Sequence, residues 1–152
     1  MATATTTSKI HVERPPVDVY AFVTTPANWV GAHPVTAQVR GAHTGEPAGV
    51  GRTWTEVIRP GAQDPFDAEW TVTAAEPGSS WVIATNRLGA DEVRCEIVYT
   101  FEPDGGGTDF RREMTVTYPD GDAFAEFGRD VQDPSIHDAY LAKVKAVLEG
   151  RP

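Results

Sequence analysis

The sequence predicts an α+β domain in which an antiparallel β-sheet is covered by a C-terminal helix. Three observations indicate this. Apolar and polar residues alternate from residue 35 to 118, which is typical of strands with one covered and one wet face. After residue 133 the apolar residues recur at helical spacing. Between residues 14 and 29, prolines divide the chain into pieces that predict two short helices.

The length and the net charge of the chain predict one domain that does not bind nucleic acid or an anionic membrane. The chain has 152 residues with no internal repeat or linker, so we expect a disordered polar tail over residues 1–7 and one domain over 8–150. The net charge of −9 argues against nucleic acid or an anionic membrane as a partner, because both need concentrated Lys and Arg. Cys95 is the single cysteine, so no internal disulfide can form.

The segment "MATATTTSK" lacks the apolar region of a signal peptide. No apolar run reaches the roughly 20 residues that span a bilayer, so no membrane insertion is expected. We therefore expect a cytoplasmic protein.

The N-terminal elements follow from a short alternation and two proline signals. Residues 8–14 place Ile10 and Val12 on one face, which predicts a half-buried strand. The prolines at 15 and 16 fit the first turn of a helix, where a missing N–H costs little. Thr25 and Pro26 predict the start of a second short helix that carries Trp29.

Five further segments read as strands of one sheet. They are "TWTEVI" from 53, "FDAEWTVTA" from 66, "SSWVIATN" from 79, "VRCEIVYTF" from 93 and "FRREMTVTY" from 110. In the last two, alternation turns these residues toward the covered face: Val93, Cys95, Ile97, Tyr99, Phe101, Phe110, Arg112, Met114, Val116 and Tyr118. The intervening "DGGGT" predicts a hairpin turn.

The last segment is predicted to be the helix that covers the sheet. Asp133 fits the capping position, Pro134 the first turn, and Gly150 the end of the helix. One stripe at helical spacing contains Ile136, Tyr140, Leu141, Val144, Val147 and Leu148.

This order of elements, with "ERPPVDVYAFVTTPANW", "GVGRTW", "VYTFEPDGGGT" and "YLAKVKAVLEG", resembles the SRPBCC superfamily of START-like and birch-pollen-allergen-like proteins. Within it, the chain resembles the bacterial polyketide cyclase/dehydrase-like branch. The resemblance implies a helix-grip fold: a curved antiparallel sheet wrapped around a long C-terminal helix, with two short helices after the first strand and an internal apolar cavity.

Two charged residues on apolar strand faces are the first candidates for chemistry. Glu56 lies between Trp54 and Ile58, and Arg112 lies between Phe110 and Met114. Buried charges need partners, so the two could form a structural ion pair. Alternatively, the arginine could stabilise an oxyanion of a ligand while the carboxylate transfers a proton.

Other candidates come from the predicted mouth and the closing helix. His33 could act as an acid or base or could simply pack, and the hydroxyl of Tyr140 could reach the cavity or its edge. Aromatic and apolar residues predicted to contact a ligand, or to fill the core, are Trp29, Trp54, Trp70, Trp81, Tyr99, Met114, Tyr118 and Phe124. Phe124 and Phe127 lie in an acidic segment that could gate the cavity.

The histidines at 11, 33, 43 and 137 have no metal-ligand spacing, so neither a metal nor a cofactor is expected. The resemblance implies a polyketide cyclase/aromatase-like enzyme that steers cyclisation or dehydration of an apolar intermediate. The alternatives are a non-catalytic carrier of a hydrophobic molecule or lipid and a co-chaperone-type interaction module. The expected partner is a hydrophobic small molecule, and the chain is expected to be a monomer or homodimer.

Overall fold

One antiparallel sheet contains every strand of the described residues, which are 1–61 and 64–150 of the computed structural model. Its strands are β1 (Ala2–Val12), β2 (Thr36–Arg40), β3 (Thr53–Ile58), β4 (Phe66–Glu76), β5 (Ser80–Thr85), β6 (Arg94–Asp104) and β7 (Gly107–Tyr118). The spatial order is β1-β7-β6-β5-β4-β3-β2. Strands β2 to β7 therefore form a meander, and β1 pairs with β7 at the end of the order. The predicted α+β class is confirmed.

The helices lie at two points of the chain. After β1 come α1 (Pro16–Val23) and a 3-10 turn (Pro26–Trp29); after β7 come a 3-10 turn (Asp122–Phe124), α2 (Ala125–Gln132) and α3 (Ser135–Leu148). α3 packs against β1 and α1, and α2 packs against β1. This is the predicted helix-grip arrangement. Among the described helices, none is both long and apolar enough to cross a bilayer.

The prediction of a disordered tail over residues 1–7 was wrong. β1 starts at Ala2, which pairs with Tyr118 of β7. Ala4 and Thr6 face inward and are buried, and the Thr6 hydroxyl donates to the carbonyl oxygen of Val131 in α2. Threonine is β-branched and favours strands, so this run forms a strand whose side chains point alternately inward and outward. Its inward positions are small or polar rather than large and apolar, which is why the sequence pattern did not show it.

The β6–β7 hairpin forms where the glycine run predicted it. Asp104 pairs with Gly107 across a turn in which Gly105 and Gly106 have φ angles of 59° and 87°. Such a two-residue turn requires positive φ at both central positions, which glycine adopts without strain. The resulting register places Tyr99 directly opposite Arg112.

Three tryptophans form the centre of the core. The rings of Trp54 and Trp81 are nearly parallel, with centroids 5.8 Å apart, and the ring of Trp29 meets both edge-on. The indole N–H of Trp81 donates to the carbonyl oxygen of Ala48 at 2.9 Å. The cluster thus joins β3, β5 and the 3-10 turn that follows α1.

The closing helix covers the sheet with a narrower stripe than predicted. Tyr140, Leu141 and Val144 are buried, whereas Ile136 and Val147 remain 42% and 44% exposed. α3 begins at Ser135 with Pro134 at its N-cap position, so the predicted cap, Asp133, lies one residue too early; its carboxylate accepts from the backbone N–H of Ser135 at 3.0 Å. Ile136 lies at a margin where α3 stands away from the sheet, and that separation leaves room for a cavity.

Candidate active site

A cavity of about 490 Å³ lies between the inner face of the sheet, α2 and the first turns of α3. Most of its wall is apolar, from β3, β4, β6, β7, α2 and the loop before β6. The polar residues of the wall are His33, Glu56, Tyr99, Arg112, Asp130, His137 and Tyr140. All four residues predicted for catalysis (Glu56, Arg112, His33 and Tyr140) therefore line one space.

Arg112 is held in place by two uncharged neighbours. Its side chain is 5% exposed; its Nε donates to the hydroxyl oxygen of Tyr99 at 3.3 Å, and its Nη1 donates to Nδ1 of His137 at 2.7 Å. The bond to Tyr99 follows from the strand register, since directly opposed residues share a face of the sheet. The guanidinium is thus fixed at the cavity wall by the sheet and by α3 together.

Glu56 lines the same cavity from β3, near the β2 edge of the sheet, and two hydrogen-bond donors hold it there. It is 4% exposed; Oε1 accepts from the indole N–H of Trp70 at 2.9 Å and Oε2 from the hydroxyl of Thr36 at 2.5 Å. A bulge between Thr36 and Gln38 in β2 turns Thr36 inward. Burial raises the pKa of Glu56, while the two hydrogen bonds and the charge of Arg112 act in the opposite direction.

Glu56 and Arg112 form no ion pair within the described part of the chain, and each has other partners instead. The alternative of a directly paired structural couple, left open by the sequence, does not describe this geometry. Both charges face the cavity as separate groups.

α3 presents His137 and Tyr140 to the cavity from adjacent turns, because residues three apart lie on one helix face. Arginine can only donate, so Nδ1 of His137 must accept and the ring proton is on Nε2. Burial and the charge of Arg112 lower the pKa of His137 to about 3. The hydroxyl of Tyr140 is buried and has no hydrogen-bond partner among residues 1–61 and 64–150, so it is available to donate to a ligand.

His33 lies against the same two residues. Its ring centroid is 5.0 Å from that of Tyr140 and 6.3 Å from that of His137. Its surface is only half-buried, yet the ring lies deep among protein atoms, and this burial, with Arg112 and His137, lowers its pKa well below the usual value. At neutral pH the imidazole is uncharged.

The residues predicted to contact a ligand divide into two groups. Five of them line the cavity: Trp29, Trp70, Tyr99, Met114 and Phe124. Three are not part of its wall: Trp54, Trp81 and Tyr118. For these three the expectation does not fit their placement, because alternation along a strand gives the face of a residue but not its depth or its distance from the cavity.

Tyr118 supports the mouth indirectly. Its ring packs against those of Phe124 and Phe127. A Cβ at Gly128 would overlap the Tyr118 hydroxyl and lie 2.9 Å from its Cζ, so only glycine lets α2 sit this close to β7. Phe124 and Phe127 thereby become part of the cavity wall, which places the acidic segment where a gate was predicted.

Sequence reasoning missed two polar contacts of the site. Thr36 was not singled out, since the bulge that turns it inward leaves no pattern in a five-residue strand. His137 was noted on the closing helix but given no role. Its position three residues before Tyr140 was a usable signal, because that spacing puts both on one face.

A second polar cluster lies outside the cavity. The fold brings His11 within 3.3 Å of Asp104 and 3.4 Å of Asp109, and these side chains could hold a cation. No metal site was expected, because His11 is far in sequence from the hairpin that carries both aspartates. Hydrogen bonds that the His11 ring donates to the carboxylates of Asp109 and Glu13 raise the pKa of His11, which accounts for the cluster as an exposed charged network.

We expect the two buried histidines to make the fold acid-sensitive before its carboxylates titrate. Unfolded chains bind a proton at pH values below the ordinary histidine pKa of 6.5, whereas folded His137 stays neutral down to about pH 3. The free energy of unfolding should therefore fall by about 2 kcal/mol between pH 7 and 5 through His137 alone. His33 acts in the same direction.

Urea unfolding at pH 7 and pH 5 measures this loss. The His137→Gln variant keeps an acceptor for Arg112 but cannot titrate, so it should lose about 2 kcal/mol less than the unchanged protein. Equal losses in the two proteins would contradict the assignment of the acid sensitivity to His137.

Comparison with known sequences points to one group. The family model described as polyketide cyclase / dehydrase and lipid transport matches residues 3–149. Penitrem biosynthesis cluster 1 protein I of Penicillium ochrochloron is 32% identical over 145 residues, which are 93% of this chain and 94% of that protein.

Comparison with solved structures gives the same architecture. The di-domain ARO/CYC StfQ from the steffimycin biosynthetic pathway superposes with a TM-score of 0.77 at 14% identity, covering 97% of this chain and 51% of StfQ. Norcoclaurine synthase from Thalictrum flavum, a point mutant in complex with a transition state analogue, gives a TM-score of 0.73 at 11% identity over 98% and 96% of the two chains. Such low identities show the shared fold alone, and this chain spans about half of StfQ.

Proposed function

This chain belongs to the polyketide cyclase/dehydrase and lipid transport family, and from that premise we propose that it is an aromatase/cyclase-like enzyme that binds an apolar intermediate and steers its cyclisation or dehydration. The observation that carries the proposal is the arrangement of the cavity. A carboxylate, a guanidinium, two neutral imidazoles and a free tyrosine hydroxyl face one largely apolar space. An inert carrier needs no such set of proton-transfer groups.

The proposed chemistry begins with proton removal. Glu56 takes a proton from the carbon next to a ketone of the bound intermediate, and a raised pKa makes its carboxylate a better base. The electron pair moves to the ketone oxygen, where Arg112 and Tyr140 donate hydrogen bonds to the developing oxyanion.

The next step closes the ring. The enolate carbon attacks a second carbonyl of the same chain, one carbon–carbon bond forms as the carbonyl π bond breaks, and the new alkoxide takes the proton that Glu56 had accepted. Loss of that hydroxyl with the neighbouring hydrogen releases water and gives the double bond. The apolar wall holds the chain folded and excludes solvent, which favours one closure over the several that occur freely in water.

The comparisons support a role in natural-product biosynthesis. The relative at 32% identity is named for a penitrem biosynthesis cluster, and StfQ is an ARO/CYC protein from the steffimycin biosynthetic pathway. A cytoplasmic location and a monomeric or dimeric state are part of the same proposal.

A product-profile assay tests the proposal. A minimal polyketide synthase that releases unreduced poly-β-ketone chains is run with and without the protein, and the products are separated by liquid chromatography and mass spectrometry. We expect the protein to redirect the spontaneous mixture toward one cyclised or dehydrated product. A profile that is the same with and without the protein would overturn the enzyme proposal, and retention of an unchanged chain by the protein would favour a carrier.

A cavity-filling variant shows whether the cavity is responsible. Ala90 lines the cavity from the loop before β6, so Ala90→Trp should abolish the redirection. Ala139 is exposed on the outer side of α3, so Ala139→Trp adds the same bulk away from the cavity and should leave the profile unchanged.

A further inference from the structure

The polar end of the cavity carries the positive charge of Arg112, which has no anion at hydrogen-bonding distance among the described residues. Arg112 is almost fully buried, yet both of its hydrogen-bond partners, Tyr99 and His137, are uncharged groups. Isolated buried charges are strongly unfavourable, so a buried guanidinium normally has an anion at hydrogen-bonding distance. Within the described part of the chain, Arg112 has no such anion.

The groups beside Arg112 are also donors. The Tyr140 hydroxyl is buried and has no partner in the described part of the chain, and the ring proton of His137 is on Nε2 because its Nδ1 accepts from Arg112. A phenol can orient its proton toward any acceptor that arrives. Three donors from β7 and α3 thus face one region of the cavity wall.

The one carboxylate deep in the cavity does not satisfy these donors. Both oxygens of Glu56 already accept hydrogen bonds, from Trp70 and from Thr36, on the β2–β4 side of the sheet. Asp130 is on α2, in the segment that forms the mouth. Among the described residues no anion accepts from Arg112 or Tyr140, so an anionic group of a ligand fits between them.

The remainder of the wall is suited to an apolar body. Apolar side chains reach the cavity from β3, β4, β6, α2, α3 and the loop before β6. They include Ile58, Phe66, Leu88, Val93, Phe124 and Ile136. Charge at one end and apolar surface elsewhere match an amphiphile rather than a uniformly greasy molecule.

We propose that this cavity takes an organic monoanion with an apolar ring system, whose ionised oxygen group, a carboxylate or a phenolate, is bound by Arg112, His137 and Tyr140. This inference rests on the proposed function and deepens it, because the donors that stabilise the enolate oxygen during ring closure would bind an ionised oxygen, such as that of the phenolic product, at the same place. The anion supplies the charge that Arg112 lacks and the acceptor that Tyr140 lacks, while the ring system occupies the apolar part of the wall.

Three probes with one ring system test the charge preference by isothermal titration calorimetry at pH 7. They are 2-naphthoate, the neutral 2-naphthamide and the cationic 2-naphthylmethylammonium. We expect naphthoate to bind at least about tenfold more tightly than naphthamide, the difference that one charge-assisted hydrogen bond gives. The ammonium probe should bind most weakly.

Paired variants assign the preference to the polar end. Arg112→Met keeps a long side chain but removes the charge, and it should erase the difference between naphthoate and naphthamide. Arg111→Met is the matched control, since Arg111 is the preceding residue of β7, is exposed and pairs with Glu113. It should keep the full preference.

Tyr140→Phe gives a test that does not depend on the folding of the arginine variant. It removes only a hydroxyl that has no protein partner, so the folded protein should be as stable as before while naphthoate affinity falls about three- to tenfold. Unchanged naphthoate affinity in this variant would contradict the proposal that the anion binds at Tyr140.

The outcomes separate this inference from the proposed function. Equal binding of naphthoate and naphthamide, abolished by Ala90→Trp, would overturn the anion preference and leave the cavity as the site of the proposed enzyme. Binding of none of the probes would also overturn the anion inference, whereas the product-profile assay would then decide the proposed function independently.

Discussion

Replacing Glu56 with glutamine is expected to lower turnover of the poly-β-ketone by about 10²–10⁴-fold, the usual contribution of a positioned general base. The amide has the shape of the carboxylate but cannot take a proton. Its oxygen can still accept from the indole of Trp70, and its NH₂ group can donate to the hydroxyl of Thr36. The cavity should therefore keep its form, and only the proton transfer should be lost.

Initial rates of product formation and calorimetric affinities of naphthoate, measured on the same preparations, separate these effects. The control is Glu96→Gln, because Glu96 is exposed on the outer face of β6 and its loss should change neither quantity. A Glu56→Gln variant that turns over at the normal rate would remove Glu56 from the mechanism. Parallel loss of binding and rate would assign it a role in holding the ligand instead.

Replacing Trp81 with alanine is expected to cost about 3–5 kcal/mol in the free energy of unfolding, which is typical for truncating a large buried aromatic. Trp81 is fully buried, stacks on Trp54 and contacts Trp29. Its removal would leave a void in the core and the carbonyl oxygen of Ala48 without its donor. For a domain of this size, such a loss is a large part of the total stability.

Urea unfolding measures the effect, with Val17→Ala as the control. Val17 is exposed on α1, so its truncation should stay within about 0.5 kcal/mol. A loss below about 1 kcal/mol for Trp81→Ala would show that the surrounding side chains collapse into the space. It would contradict the view that the tryptophan cluster is the rigid centre of the core.

The fold was largely predictable because its signals are local and periodic. The alternation in β3 to β7 and the DGGGT hairpin each depend on a few adjacent residues, and each is found where it was expected. The N-terminal half of β1 was missed for the complementary reason. Its inward positions are occupied by Ala4 and Thr6, which are small or polar, so the strand is stabilised by pairing with β7 rather than by visible apolar alternation.

The site was predictable as a set of candidates but not as an arrangement. Charge on an apolar face marked Glu56 and Arg112, and both line the cavity. Their hydrogen-bond partners could not be predicted from the sequence. The contact of Thr36 with Glu56 requires a bulge in β2, and the contact of His137 with Arg112 requires a particular placement of α3 on the sheet. The distance of a side chain from the cavity could not be predicted either. Trp54 and Trp70 occupy facing positions on neighbouring strands, yet of the two only Trp70 lines the cavity.

The distribution of the four indoles gives the protein two built-in optical reporters. Trp54 and Trp81 stack almost face to face, so their electronic transitions couple and should dominate the near-ultraviolet circular dichroism of the folded chain. Trp29 and Trp70 border the cavity, and their emission should respond when a molecule enters it. Occupancy and integrity of the fold can therefore be followed at separate wavelengths in unlabelled protein.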